Sequence, residues 1–91
     1  MELVFTREAK GDLDELRVFL QPLSPKGLAN IVLSIELRIS GGLSNPRIGR
    51  PTPRADVREL VESRYGFLIP YYVKNNVFYI LRIYSARRKP L

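Results

Sequence analysis

Asn75-Asn76 stands between two runs of β-branched and aromatic residues, and it restricts this chain more than any other pair in it. A two-residue hairpin loop of type I′ needs positive φ at both central positions, a conformation that Asn accepts more readily than any residue except Gly. Around it the sequence predicts three consecutive antiparallel strands, Asp56–Ser63, Tyr65–Lys74 and Val77–Ser85, with Val73 opposite Phe78 and Tyr72 opposite Tyr79. Alternate residues point to opposite faces and cross-strand partners share one, so this register sorts the side chains. One face carries Phe67, Ile69, Tyr71 and Val73 with Phe78, Ile80, Arg82 and Tyr84. The other carries Leu68, Pro70 and Tyr72 with Tyr79, Leu81 and Ile83. Both are apolar, whereas a sheet solvated on one side alternates apolar with polar, so both faces are expected to be covered.

The chain before the strands supplies one cover. Leu3-Val4-Phe5 is a short strand candidate, and Thr6 can cap a helix over Arg7–Leu20, whose apolar positions Ala9, Leu13, Leu16 and Leu20 fall on one helical face. Ser24-Pro25 then starts a second helix, with Pro at the first helical position where its missing N–H costs nothing. Its buried stripe is Leu28, Val32, Ile35 and Ile39, and Gly41-Gly42 is expected to end it near Ser40. Residues Leu43–Ala55 have no period and read as a surface loop, in which Arg47, Arg50 and Arg54 are expected to be solvated charges. The order is β-α-α-β-β-β, an α+β fold with a helical hairpin packed on one face of a mostly antiparallel four-stranded sheet. Residues 1–91 read as a single domain, with a basic C-terminal tail at 85–91.

With no cysteine and no histidine, the chain has no disulfide, no thiolate or imidazole chemistry and none of the usual zinc ligands. No cofactor or metal is expected. The formal net charge of +6 points to an acidic partner. No apolar stretch approaches the roughly 20 residues that span a bilayer, so no membrane partner is expected and the reading is a cytoplasmic protein.

Five short motifs are shared, in order, with a known group. They are Pro46-Arg47-Ile48-Gly49-Arg50, Val57-Arg58-Glu59-Leu60, Ile69-Pro70-Tyr71-Tyr72-Val73, Ile80-Leu81-Arg82-Ile83 and Ala86-Arg87-Arg88-Lys89-Pro90. Through them nearly the whole chain resembles the RelE/ParE superfamily of bacterial toxins, components of type II toxin–antitoxin systems that include plasmid stabilisation modules. The resemblance implies one of two activities. RelE-like members cut messenger RNA on the ribosome; ParE-like members inhibit DNA gyrase without being nucleases. The ribonucleases place basic side chains at strand positions that fall, without a gap, on Glu59, Val61 and Leu68, with a further catalytic position on Ser85. None is basic, and such residues cannot stabilise a pentacovalent phosphate. No catalytic residue is therefore assigned. The ParE-like branch is closer, although its members commonly carry Arg where Tyr72 stands and His where Ser85 stands.

That branch implies an acidic, ParD-like antitoxin and DNA gyrase as partners. The expected antitoxin surface is the open sheet face, Leu68, Tyr72, Tyr79, Leu81 and Ile83. The expected target contacts are Arg87, Arg88 and Lys89, which otherwise serve solubility. Direct nucleic-acid binding stays open. The tyrosines divide between two faces, so packing is favoured over base stacking. Arg82, on the covered face, needs an acidic partner, for which Glu36 is the candidate.

Overall fold

The computed structural model describes residues 1–88, with side chains through Arg87. The elements are β1 (Glu2–Phe5), α1 (Arg7–Leu20), α2 (Pro25–Ser44), β2 (Arg50–Pro51), β3 (Arg58–Glu62), β4 (Phe67–Lys74), β5 (Val77–Ile80), β6 (Tyr84–Ser85) and a 3₁₀ turn at Ala86–Arg88. Both helix starts follow local chemistry. Ala9 N donates to Thr6 Oγ1 at 3.1 Å and Gly27 N to Ser24 Oγ at 3.0 Å, each satisfying an N–H that the first turn leaves free. The β4–β5 hairpin has Asn75 at φ 53° and Asn76 at φ 62°, and its register pairs Val73 with Phe78 and Tyr72 with Tyr79, as expected.

The strands form a mixed sheet in the order β1-β5-β4-β3-β2, with β6 also on β4. Strand β1 lies parallel to β5, and the two helices intervene between β1 and the rest of the sheet. The class is α+β. Ala9, Ile35 and Ile39 of the helices bury Leu60, Phe67, Ile69, Tyr71, Phe78 and Ile80 of the sheet. Each large side chain so removed from water contributes roughly 1.5–3 kcal/mol.

Four details differ from expectation. First, Gly41-Gly42 does not end α2, which continues to Ser44. A Cβ on Gly42 would stand 3.1 Å from both Leu60 Cδ1 and Phe78 Cζ, so this glycine lets the helix approach the sheet rather than cap it. Second, β3 and β4 are shorter than predicted. The buried Glu62 carboxylate accepts from the backbone N–H groups of Arg64 and Tyr65 and from Ser34 Oγ, which fixes a turn in place of the strand ends. Third, the Leu43–Ala55 segment contains the end of α2 and the edge strand β2; with the expected last strand divided into β5 and β6, the sheet has six strand segments rather than four.

The fourth concerns the last strand. An unbroken register from Ile80 opposite Tyr71 would set Tyr84 opposite Phe67, but Tyr84 pairs with Leu68 and Ser85 with Phe67. One extra residue is therefore accommodated at Leu81–Ile83. This is a β-bulge, and it turns the side chains of Ile83, Tyr84 and Ser85 to the face opposite the expected one. Ile83 enters the core at 3% exposure instead of lying on the open face. Helix α1 satisfies the bulge: Ile83 N donates to Asp12 Oδ2 at 2.8 Å, and Thr6 Oγ1 donates to the Leu81 carbonyl at 2.9 Å.

Candidate functional site

The open face retains only part of the expected antitoxin surface. Tyr72 and Tyr79 are half-buried and stacked, with ring centroids 4.9 Å apart and planes 15° from parallel, and Leu81 is half-buried, its N–H donating to the Pro70 carbonyl at 2.9 Å. Leu68, although on this face, is only 5% exposed between its cross-strand neighbours Val61 and Tyr84. Ile83 is removed by the bulge. Of the expected target contacts, Arg87 is exposed on the 3₁₀ turn, while the Arg88 side chain and Lys89 lie outside the described residues.

The positions that a ribonuclease would use are not assembled. Glu59, Val61 and Leu68 share the open face, but Ser85 pairs with Phe67 and so belongs to the helix-covered side. Glu59 is 6% exposed, and its Oε1 accepts from Arg50 Nε at 2.8 Å and Arg50 Nη2 at 2.6 Å. Arg50 lies directly opposite it on β2, so the ion pair is a cross-strand one. Tyr84 completes this corner. Burial pushes its phenol above the usual value, and the Glu59 carboxylate adds to the shift. The group stays a neutral hydroxyl at physiological pH. Arg82, for its part, bonds Asp12 rather than Glu36, which is exposed; Nε meets Asp12 Oδ2 at 2.8 Å and Nη2 meets Oδ1 at 3.0 Å. These bonds to the Asp12 carboxylate raise the guanidinium pKa further and keep it charged.

A second assembly was invisible in the sequence. The Tyr71 hydroxyl donates to the Pro46 carbonyl at 2.6 Å and accepts from Gly49 N at 3.0 Å. Arg58 Nη1 donates to the carbonyls of Gly49 at 2.8 Å and Arg47 at 3.3 Å. Gly49 has no room for a side chain, since a Cβ there would stand 2.5 Å from the Tyr71 hydroxyl oxygen. The arginine segment is thus clamped to the sheet at its backbone, not draped over it. Three of the motifs that run through the chain, around Arg47, Arg58 and Tyr71, converge at this one corner. The signals were a Gly among arginines and a Tyr on the covered face, too far apart for local pattern to join.

Residues 3–90 match the family model described as the ParE toxin of the type II toxin–antitoxin system parDE. The chain belongs to this family. It is similar in structure to a chain of the chromosomal ParDE toxin–antitoxin system from P. aeruginosa, with 31% identity, a TM-score of 0.78, and coverage of 93% of this chain and 95% of that one. No curated protein sequence matches it. As a ParE-type toxin of a type II system, it has an antitoxin as partner. Among the described residues, no helix is long and apolar enough to cross a membrane, and no group of His, Cys, Asp or Glu is placed to hold a metal ion.

Proposed function

We propose that this ParE-family toxin inhibits growth in the bacterial cytoplasm by binding DNA gyrase, and that an acidic, ParD-like antitoxin neutralises it. The observation that carries the inhibitor reading over a ribonuclease one is the state of Glu59. Its carboxylate is buried and held by Arg50, beside aliphatic Val61 and Leu68, so these three positions offer neither a free cation nor a proton donor matched to phosphoryl chemistry. An inhibitor needs none of these; it needs a stable surface. The Arg87-Arg88-Lys89 cluster supports target binding, because guanidinium forks suit carboxylates or phosphates.

The test uses the purified toxin in two assays. It is expected to inhibit gyrase supercoiling, to lose that inhibition when antitoxin is added, and to leave messenger RNA intact on translating ribosomes. Codon-dependent cleavage without an effect on supercoiling would overturn the reading. Replacing Arg87, Arg88 and Lys89 by alanine is expected to weaken inhibition and its salt dependence together. Equal inhibition would assign the tail to solubility.

A further inference from the structure

The clamp on the arginine loop is stronger than a solvated connection requires. A loop that only joins α2 to β3 can leave its backbone groups to water, yet here the carbonyls of Pro46, Arg47 and Gly49 and the Gly49 N–H are bonded to Tyr71 and Arg58. What the clamp holds outward is an apolar side chain among cations. Ile48 is 47% exposed, with exposed Arg47 before it and exposed Arg50 and Arg54 after it. Arg50 is itself fixed in direction, because two of its nitrogens bond Glu59 while its side chain remains 56% exposed. Of the acidic residues nearby, Glu59 is buried beneath Arg50 and Asp56 is exposed, and neither Arg47 nor Arg54 forms an ion pair among the described residues, so the loop keeps an excess of positive charge. The edge strand β2 is two residues long and contains Pro51, which blunts it against pairing with another strand. Contact at this corner must therefore be made by side chains.

We infer that the clamped Pro46–Arg54 loop is a target-docking surface, in which Ile48 enters an apolar hollow on an acidic protein surface and Arg47, Arg50 and Arg54 bind the carboxylates around it. An apolar anchor ringed by arginines is the composition of a protein–protein hot spot, whereas a phosphate backbone offers charge without a hollow for Ile48. Rigidity contributes as well, since a loop already ordered loses little entropy on docking. The inference rests on the inhibitor function proposed above and assigns to it a surface separate from the C-terminal tail.

The experiment compares wild type, Ile48→Asp and the double variant Arg47→Ala/Arg54→Ala in gyrase supercoiling inhibition, with antitoxin binding and thermal unfolding measured on each. None of these side chains takes part in the clamp. If the loop docks, Ile48→Asp raises the concentration for half-inhibition by about tenfold or more, the loss expected of a hot-spot residue, while antitoxin binding and unfolding stay as in wild type. The double variant then shows weaker inhibition with a shallower salt dependence. Inhibition within about twofold of wild type by both variants, where wild type inhibits, would overturn the docking surface alone. A wild type that does not inhibit would overturn the function, and this surface with it. Should the double variant lose binding of the toxin to duplex DNA by itself, in proportion to its loss of inhibition, the loop reads nucleic acid and the acidic protein partner is wrong.

Discussion

Asp12, on α1, holds Arg82, on the last strand, through both carboxylate oxygens, and its Oδ2 also receives the N–H of Ile83. One carboxylate thus closes a bulge that lies 70 residues further along the chain. Asp12→Ala removes that acceptor and leaves the Ile83 N–H without a partner beneath the helix. The expected loss is about 1.5–3 kcal/mol of unfolding free energy, the range for hydrogen bonds to charged groups, read from urea denaturation. Asp12→Asn, which keeps an acceptor, should lose less.

Tyr71→Phe removes the two hydrogen bonds that its hydroxyl makes to the arginine loop, keeps the two from Arg58, and leaves the ring stacked on Phe78, 4.4 Å away. The buried Gly49 N–H then has no acceptor, at a cost of about 1–3 kcal/mol. The sharper readout is hydrogen exchange. The Gly49 amide is expected to exchange faster in the variant, with the amides of β4 and β5 changed only by the global loss of stability.

The two adjacent glycines near the end of α2, Gly41 and Gly42, should respond in opposite directions. A Cβ at Gly41 meets nothing within 4 Å, so Gly41→Ala is expected to stabilise the helix by about 0.5–1 kcal/mol. Gly42→Val must displace Leu60 and Phe78 and is expected to cost about 1–3 kcal/mol. Thermal unfolding of the two variants checks this. Had the helix ended at Gly41 in a left-handed cap, the alanine there would destabilise.

Tyr84 should ionise above the ordinary range of a tyrosine. Burial first, and then the Glu59 charge, raise its pKa above the ordinary value of about 10. The folded state therefore holds this proton more tightly than the unfolded chain does. Stability from this group is fully present below about pH 10 and is lost as pH rises through the higher folded pKa. Tyrosinate absorbance of wild type minus Tyr84→Phe gives the titration of this residue, and Glu59→Gln is expected to move it down.

We propose the half-buried aromatics of the open face, Tyr72 and Tyr79, as the antitoxin surface. Leu81→Arg places a charge at a half-buried position and is expected to weaken antitoxin binding by about tenfold or more without unfolding the toxin. Titration calorimetry with the antitoxin measures it. Ile83→Arg, by contrast, is expected to unfold the chain, because that side chain is in the core.

What the sequence by itself determined are the features whose physics is local. Asn75-Asn76 set the hairpin and its register, because positive φ is a property of the residue; Thr6 and Ser24 set the helix starts, because a hydroxyl oxygen reaches an N–H three residues away. The α+β class followed from period and order alone. Only the tertiary structure decided the bulge at Leu81–Ile83, the extension of α2 through Gly42, the Arg50–Glu59 pair and the clamp by Tyr71. Each depends on what stands across from a residue in space: Asp12 for the bulge, Leu60 and Phe78 for Gly42, Glu59 for Arg50, and Pro46 and Gly49 for Tyr71. The one-residue shift at the bulge shows the reason most plainly. Alternation assigns faces only while the register is continuous, and a helical carboxylate able to accept one stray N–H is enough to interrupt it.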